Sequence, residues 1–552
     1  MRPIYSNWKS RLFPKSDMSS PAPKSPEQND KSKKYDRQLR LWGDHGQKLL
    51  GNAKVCLINA TALGTEVLKS LVLPGIGSFT IVDGEKITEE DIGSNFFLEN
   101  DSVGLSRAQV ATQCLLELNP DVRGDYIDES AEHTLTNTQD FFKNFTVVIA
   151  TALSEKVLIP LSKHLWECNV PLVVCRSIGF IGYIQLQVKE HTVIETHPDN
   201  QNPDLRLDCP WPALEEFLDS INVEALDTKT RSHTPAVVIL HYFLKKYQEK
   251  YQSFPKTRQE KDALKNMIRA CPVGPDGPPS VLEENFEEAI HLVNTCICKT
   301  TVPTHAREIL DDKRCVTPTQ NTAPFWVMCA ALREHVEAEG TLPVRGSLPD
   351  MAADTASYVT LQQIYQKQAL AQAEAIYRRA SQIARGLGMG PDAITESEVR
   401  LFCKHSSELY VSRGNHCIAD PPPSGGAFRM DQYDPDGPAA YYPVLRALER
   451  FAGECDAPPG RRDERIEPDA AEMKTAVARL LTEWNVHLQQ GVADERVHEV
   501  CRYGGAELHS VSATLGGCAA HEVIKLITHQ YKPMNNAFFY DAITCSSTTL
   551  CL

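Results

Sequence analysis

The stretch Val55–Asp83, VCLINATALGTEVLKSLVLPGIGSFTIVD, decides the fold. An apolar run, Val55–Ile58, leads through a turn into a helix that starts near Gly64, and a second β-rich run closes on Asp83. That order is a nucleotide-binding βαβ unit, with the acidic residue where a ribose hydroxyl would be held. The phosphate cradle is degraded. If Gly64 is the third glycine of G-x-G-x-x-G, the first two positions are Asn59 and Thr61, and each carries a Cβ where a pyrophosphate needs bare backbone. The sequence therefore predicts the frame of a nucleotide site, made of Asn59, Thr61, Gly64 and Asp83, without its anion grip.

The bulk of the chain sets the class. Its 552 residues exceed one hydrophobic core and predict two to four domains. With 57 basic against 72 acidic side chains the net charge is −15, which argues against a dedicated nucleic-acid binder and suits a basic protein partner. No window reaches the ~18 consecutive apolar residues of a membrane helix, so no membrane span is expected. Seventeen cysteines, an odd number with no C-x-x-C pair, fit free thiols in a reducing compartment and argue against a structural metal. The N-terminus lacks the apolar core of a secretion signal.

Working outward, residues 1–33 are rich in Pro, Ser, Lys and Asn and predict a disordered tail. Lys34–Leu50 has apolar residues at helical spacing interrupted by Gly43 and Gly46, which predicts two short helical pieces ahead of the first strand. The phrase Tyr35-Asp36-Arg37-Gln38, followed by a βαβ unit ending in Asp83, resembles the opening of the adenylation fold in activating enzymes for ubiquitin-like proteins. The resemblance implies an α/β, Rossmann-like fold of the ThiF/MoeB type with a large all-helical insertion. It also implies that Arg37 reaches across a dimer interface to the ATP phosphates held by the other half, work that suits a planar, permanently charged guanidinium. A surface ion pair is the other reading of Arg37.

Three further positions depart from the active pattern. Ser94 stands where an Arg is expected, Arg107 stands near an expected Lys, and the segment after FTVVIA offers Glu155 beside Lys156 in place of a magnesium-holding Asp. Adenylation rests on positioned cations and backbone N–H groups, so this half is expected to bind neither ATP nor magnesium itself and to leave both to a partner subunit. Cysteine chemistry points the same way. The family's nucleophile lies in a Pro-x-Cys-Thr phrase and no cysteine here precedes Thr; Cys315, with basic neighbours, is the single thiol worth assaying.

Further along, RSIGFIGY at 176–183 and the text beyond it narrow the resemblance to the regulatory subunits of heterodimeric enzymes that activate Nedd-type (Rub-type) modifiers. It covers about 34–552, with a weak patch at 411–470. The implied domains are a first pseudo-adenylation part at 34–185, a mainly helical insertion at 186–490 forming half of a split catalytic-cysteine domain, loop-rich over 411–470 around a helix at PVLRALERFAG, and a closing part at 491–552. By the same resemblance His233, Asp354, Tyr358, Leu361 and Tyr365 face the catalytic partner; Tyr358, Leu361 and Tyr365 share one helical stripe. An intramolecular core is the other reading of that stripe. The implied role is a regulatory chain, inactive alone, in the first step of neddylation. Its partners would be the catalytic subunit, the modifier and, through the complex, a conjugating enzyme, in cytoplasm and nucleus. Two alternatives stand beside it: the matching subunit for the small ubiquitin-related modifier, and a nicotinamide-dependent oxidoreductase on the same βαβ unit.

Overall fold

The central strands of the main sheet are short apolar runs buried on both faces, because only a sheet covered on each side satisfies their backbone and their side chains together. The computed structural model describes residues 33–199, 201–271, 282–414, 416, 434, 436–484 and 492–552. The expected tail at 1–33 lies, but for its last residue, outside the described residues. The strands are β1 (Lys54–Ile58), β2 (Ser78–Val82), β3 (Arg123–Ile127), β4 (Val147–Thr151), β5 (Leu172–Ile178), β6 (Ile181–Gln187), β7 (His191–Val193), β8 (Tyr410–Ser412), β9 (Ala537–Asp541) and β10 (Ser546–Leu550). Eight of them form a sheet in the order β10-β9-β6-β5-β4-β1-β2-β3, and β7 pairs with β8 separately. From β3 to β5 the pairing is parallel; β6, β9 and β10 extend it antiparallel.

One face is covered by α1 (Asp36–Asn52), α2 (Ala62–Val72) and α3 (Arg107–Leu118), the other by α4 (Glu155–Cys168). The two expected helical pieces before β1 appear as α1, kinked at Gly43 where φ is +64°. Beyond β7 the chain is helical, and α5 (Ala236–Tyr251) and the 32-residue α6 (Thr355–Gly386) organise two further apolar cores. The long insertion leaves at β7 and returns at β8, so its two ends meet in one antiparallel pair.

The expected boundary of the insertion at 490 is too late. Helices α7 (Tyr442–Cys455), α8 (Ile466–Glu483) and α9 (Asp494–Tyr503) pack with β4, β5 and α4 in the core on the second face of the sheet. Val444, Leu448, Met473 and Leu480 are fully buried there, so residues 436–484 belong to the α/β domain. Within 411–470 the helix expected at PVLRALERFAG is present as α7, while α8, starting at Ile466, takes the end of the stretch expected as loop; 417–433 lie outside the described residues. The closing helix α10 (His509–Thr528) returns to the first face against α2. Their approach needs Gly516, whose added Cβ would come within 2.7 Å of the Glu66 Cβ. The chain closes on β9, with β10 antiparallel beside it at the edge of the sheet.

Candidate functional site

The strand order reverses between β1 and β4, and ligands of open parallel sheets enter the crevice beyond the carboxyl ends of strands at such a point. Here the two strand ends are stitched together. Asn59, at the first glycine position, adopts φ +64°, the left-handed conformation for which Asn is the usual substitute for Gly. Its Nδ2 donates to the Thr151 carbonyl at 2.9 Å, and the Thr151 hydroxyl donates back to the Asn59 carbonyl at 2.7 Å. Thr61 caps α2 by accepting from Gly64 N at 3.2 Å and bonds Thr151 Oγ1 at 3.3 Å. Gly64 keeps the third glycine's packing role, since a Cβ there would stand 2.7 Å from the Asn59 carbonyl. The turn thus retains its backbone path while side chains occupy the space above it.

The positions a nucleotide would occupy are taken by side chains of the chain itself. At the N-terminus of α2, Leu63 N donates to Glu507 Oε2 at 3.3 Å, so a carboxyl group holds the position of a phosphate oxygen. Burial raises the pKa of Glu507 from 4.5 to about 7 against the pull of the Leu63 and Ala62 amides and the Thr61 hydroxyl. Asp83 is fully buried and fully engaged. It accepts from Ala60 N at 2.8 Å and Glu85 N at 2.9 Å, and Arg107 forks onto it with Nε at 2.7 Å and Nη2 at 3.2 Å. Arg107 Nη1 also reaches Asp91 at 3.1 Å. Burial works against the charge of Arg107, and Asp83 and Asp91 outweigh it, so its pKa lies above the ordinary value. Arg107 therefore does not serve as a phosphate-facing Lys; it takes the place of the ribose on Asp83.

At the magnesium position Glu155 is not free either. Arg446 Nη2 donates to its Oε1 at 2.6 Å and Arg450 Nε to its Oε2 at 2.8 Å, both from α7. Arg446 Nη1 continues to Glu449 at 2.9 Å, Glu449 faces Arg176 Nε at 3.5 Å, and Arg450 Nη1 continues to Glu483 at 2.7 Å. Burial pushes the Glu449 carboxyl up against the opposing pull of Arg446 and Arg176. Lys156 points elsewhere, to Glu132 at 3.3 Å. A triphosphate with its magnesium does not fit these residues: its anion position holds Glu507, its ribose partner is bound to Arg107, and its metal ligand is bound to two arginines. Sequence reading did not find Glu507, Arg446 or Arg450. The available signal for the first was the Gly504-Gly505 pair just ahead of a lone acid in YGGAE.

The other candidates separate into exposed and buried. Arg37 projects from the first turn of α1 with its side chain 81% exposed, 3.8 Å from Asp36, and contributes nothing to the crevice. His233 is exposed and its carbonyl accepts from Asp354 N at 2.8 Å, so these two sequence-distant candidates adjoin; Tyr358, one turn into α6, is half-buried beside them. Leu361 and Tyr365 are fully buried in the helical core, and the Tyr365 hydroxyl donates to the Leu205 carbonyl at 2.6 Å. Their assignment to a partner surface is corrected: they face inward, and the stripe divides between surface and core. Cys315 is buried, with burial pushing its thiol up to about 12, the opposite of a nucleophile's environment. Among the described residues no helix is long and apolar enough to cross a membrane, and no cluster of three His, Cys, Asp or Glu side chains could hold a metal.

Similarity to known proteins follows the same outline. The ThiF family pattern matches residues 35–552. The Nedd8-activating enzyme E1 regulatory subunit of Drosophila melanogaster is 46% identical over 540 residues, covering 97% of this chain and 100% of that one. The NEDD8-activating enzyme E1 regulatory subunit of Danio rerio is 44% identical over 527 residues, covering 94% of this chain and 98% of its own. That of Caenorhabditis elegans is 33% identical over 539 residues, covering 94% and 99%.

Proposed function

We propose, from the premise that this chain belongs to the ThiF family and within it to the NEDD8-activating enzyme E1 regulatory subunits, that it is the non-adenylating half of its enzyme. It is the regulatory subunit of a heterodimeric activating enzyme for a Nedd-type modifier, the first step of neddylation. ATP, magnesium and the thioester cysteine are assigned to the catalytic partner. Arg37 reaches that partner's nucleotide in trans, where a guanidinium can fork onto phosphate oxygens. His233, Asp354 and Tyr358 contribute to the surface that meets the partner, and a conjugating enzyme is served by the complex. Cytoplasm and nucleus are the proposed sites of action.

The single observation that carries this reading is the crevice itself: its three ligand-binding positions are filled by Glu507, Arg107 and the Arg446–Arg450 pair. The same filling speaks against a nicotinamide cofactor, and the relatives' names favour the Nedd-type modifier over the small ubiquitin-related one. The test is reconstitution with a catalytic subunit and an ATP-dependent thioester assay. The chain alone is expected to give no adenylate; the complex is expected to give adenylate and thioester, and Arg37→Ala to slow the first while leaving assembly intact. Adenylate formed by the lone chain would overturn the reading.

A further inference from the structure

The segment that delivers Glu507 is built with unusual care for a loop. Helix α9 ends at Tyr503, and two glycines with positive φ, Gly504 at +57° and Gly505 at +83°, reverse the chain. An added Cβ on Gly504 would stand 2.9 Å from the Gly460 carbonyl, and one on Gly505 would stand 2.7 Å from the Pro458 ring. At Gly179, φ +52°, a Cβ would overlap the Tyr503 ring, and Gly179 N donates to the Ala506 carbonyl at 2.8 Å. Residues 179 and 507 form a parallel bridge next to that bond. Glycines from three parts of the chain thus close around the turn that presents Glu507 to the first turn of α2.

The first turn of a helix leaves its leading amides without intrahelical partners. In α2 two of these have partners within the chain: Gly64 N goes to the Thr61 hydroxyl and Leu63 N to Glu507. Thr65 N already bonds the Thr61 carbonyl. The amides of Leu63 and Gly64, which would greet an incoming anion, are thus already taken within the chain. We propose that Glu507 is an intramolecular stand-in for phosphate, an autoinhibitory contact that seals the anion seat of the remnant nucleotide crevice. This rests on the reading of the chain as a non-adenylating member of its family, and it names the residue that enforces it.

The experiment is a titration of the full-length chain with inorganic pyrophosphate, followed by phosphorus NMR, for the wild type, Glu507→Ala and Glu507→Gln. Ala vacates the seat; Gln keeps the shape and a donor-bearing amide without the carboxylate, and guards against a variant that fails to fold. The expected result is no binding by the wild type up to the highest pyrophosphate concentration used, and binding by the Ala variant with a Kd at least about tenfold below that concentration, the scale of one hydrogen bond to a charged group. Gln is expected to fall between them. Absence of binding in all three, with native circular dichroism, overturns the stand-in role and leaves the wider reading untouched. Pyrophosphate binding by the wild type overturns both.

Discussion

Replacing Arg446 by Met tests whether the metal position of the crevice has become a structural ion network. Arg446 joins Glu155 at 2.6 Å to Glu449 at 2.9 Å, and the two acids are 8% and 1% exposed. Removing one partner from a buried pair costs about 3–5 kcal/mol, because the charges left behind cannot return to water. Here each acid keeps a second arginine, Arg450 for Glu155 at 2.8 Å and Arg176 for Glu449 at 3.5 Å, which places the cost near the lower limit, about 3 kcal/mol. For a domain of this size that is a fall of roughly 6–12 °C in the midpoint of the transition that unfolds the sheet. Because Glu155 opens α4 while Arg446 lies on α7, amide exchange should quicken in β4 and α4 as well as around the mutation. Adding Glu449→Gln removes one stranded charge and should recover part of the loss. A midpoint within about 1 °C of wild type, or faster exchange confined to 442–455, would refute both the network and the placement of 436–484 in the α/β domain.

Glu507→Gln should flatten the dependence of stability on pH. The folded carboxyl holds its proton up to about pH 7 and the unfolded one releases it near 4.5, so the native state binds more protons across that window. Stability therefore falls as pH rises from 4.5 to 7 and levels off above, by about 3 kcal/mol at most, and urea midpoints of wild type minus variant should trace that slope. Tyr365→Phe should lower stability by about 1–2 kcal/mol by orphaning the Leu205 carbonyl, with affinity for the catalytic subunit unchanged, as calorimetry of the complex would read. Tyr358→Ala together with His233→Ala should do the reverse, weakening the complex while the melting temperature holds within about 2 °C. Arg37→Ala should slow adenylate formation in the complex by about 10- to 100-fold, the loss of one charge-assisted contact to phosphate, measured by pyrophosphate exchange.

The internal charges follow from the fold they occupy. A βαβ turn that has lost its ligand still buries Asp83 at the end of β2 and still points amides from the first turn of α2. An ionised carboxylate out of water costs several kcal/mol unless it is paired, and an unmet buried amide costs about 1–3 kcal/mol. Arg107 and Glu507 relieve those two costs separately. Substitutions at either residue should thus destabilise the domain even where they open space, and a pocket regained by mutation would come at reduced stability.

How much of this was legible in the sequence depends on chain distance. The βαβ frame, the kinked α1 and the Asn59 turn are local: each is set by spacing within about thirty residues, and the left-handed Asn59 is a property of that side chain. Of the residues that fill the crevice, Arg107 lies 24 positions from Asp83, whereas Glu507 lies 444 from Leu63 and Arg446 lies 291 from Glu155, and no periodicity links these last two to their partners. The stripe of Tyr358, Leu361 and Tyr365 gave the correct helix face but not which body covers it; the aromatic ring of Trp211, 5.0 Å from Tyr365, belongs to this chain. The helix PVLRALERFAG is legible from its own period, but not that 436–484 packs on the sheet: dense Pro, Gly and Asp mask IEPDAAEMKTAVARLLTE, whose Met473, Val477 and Leu480 are buried there. A local pattern can thus announce a nucleotide turn and its damage. What replaces the nucleotide is chosen by tertiary contact: the lost glycines are written at 59 and 61, and the carboxyl group that takes their ligand's seat is written at 507.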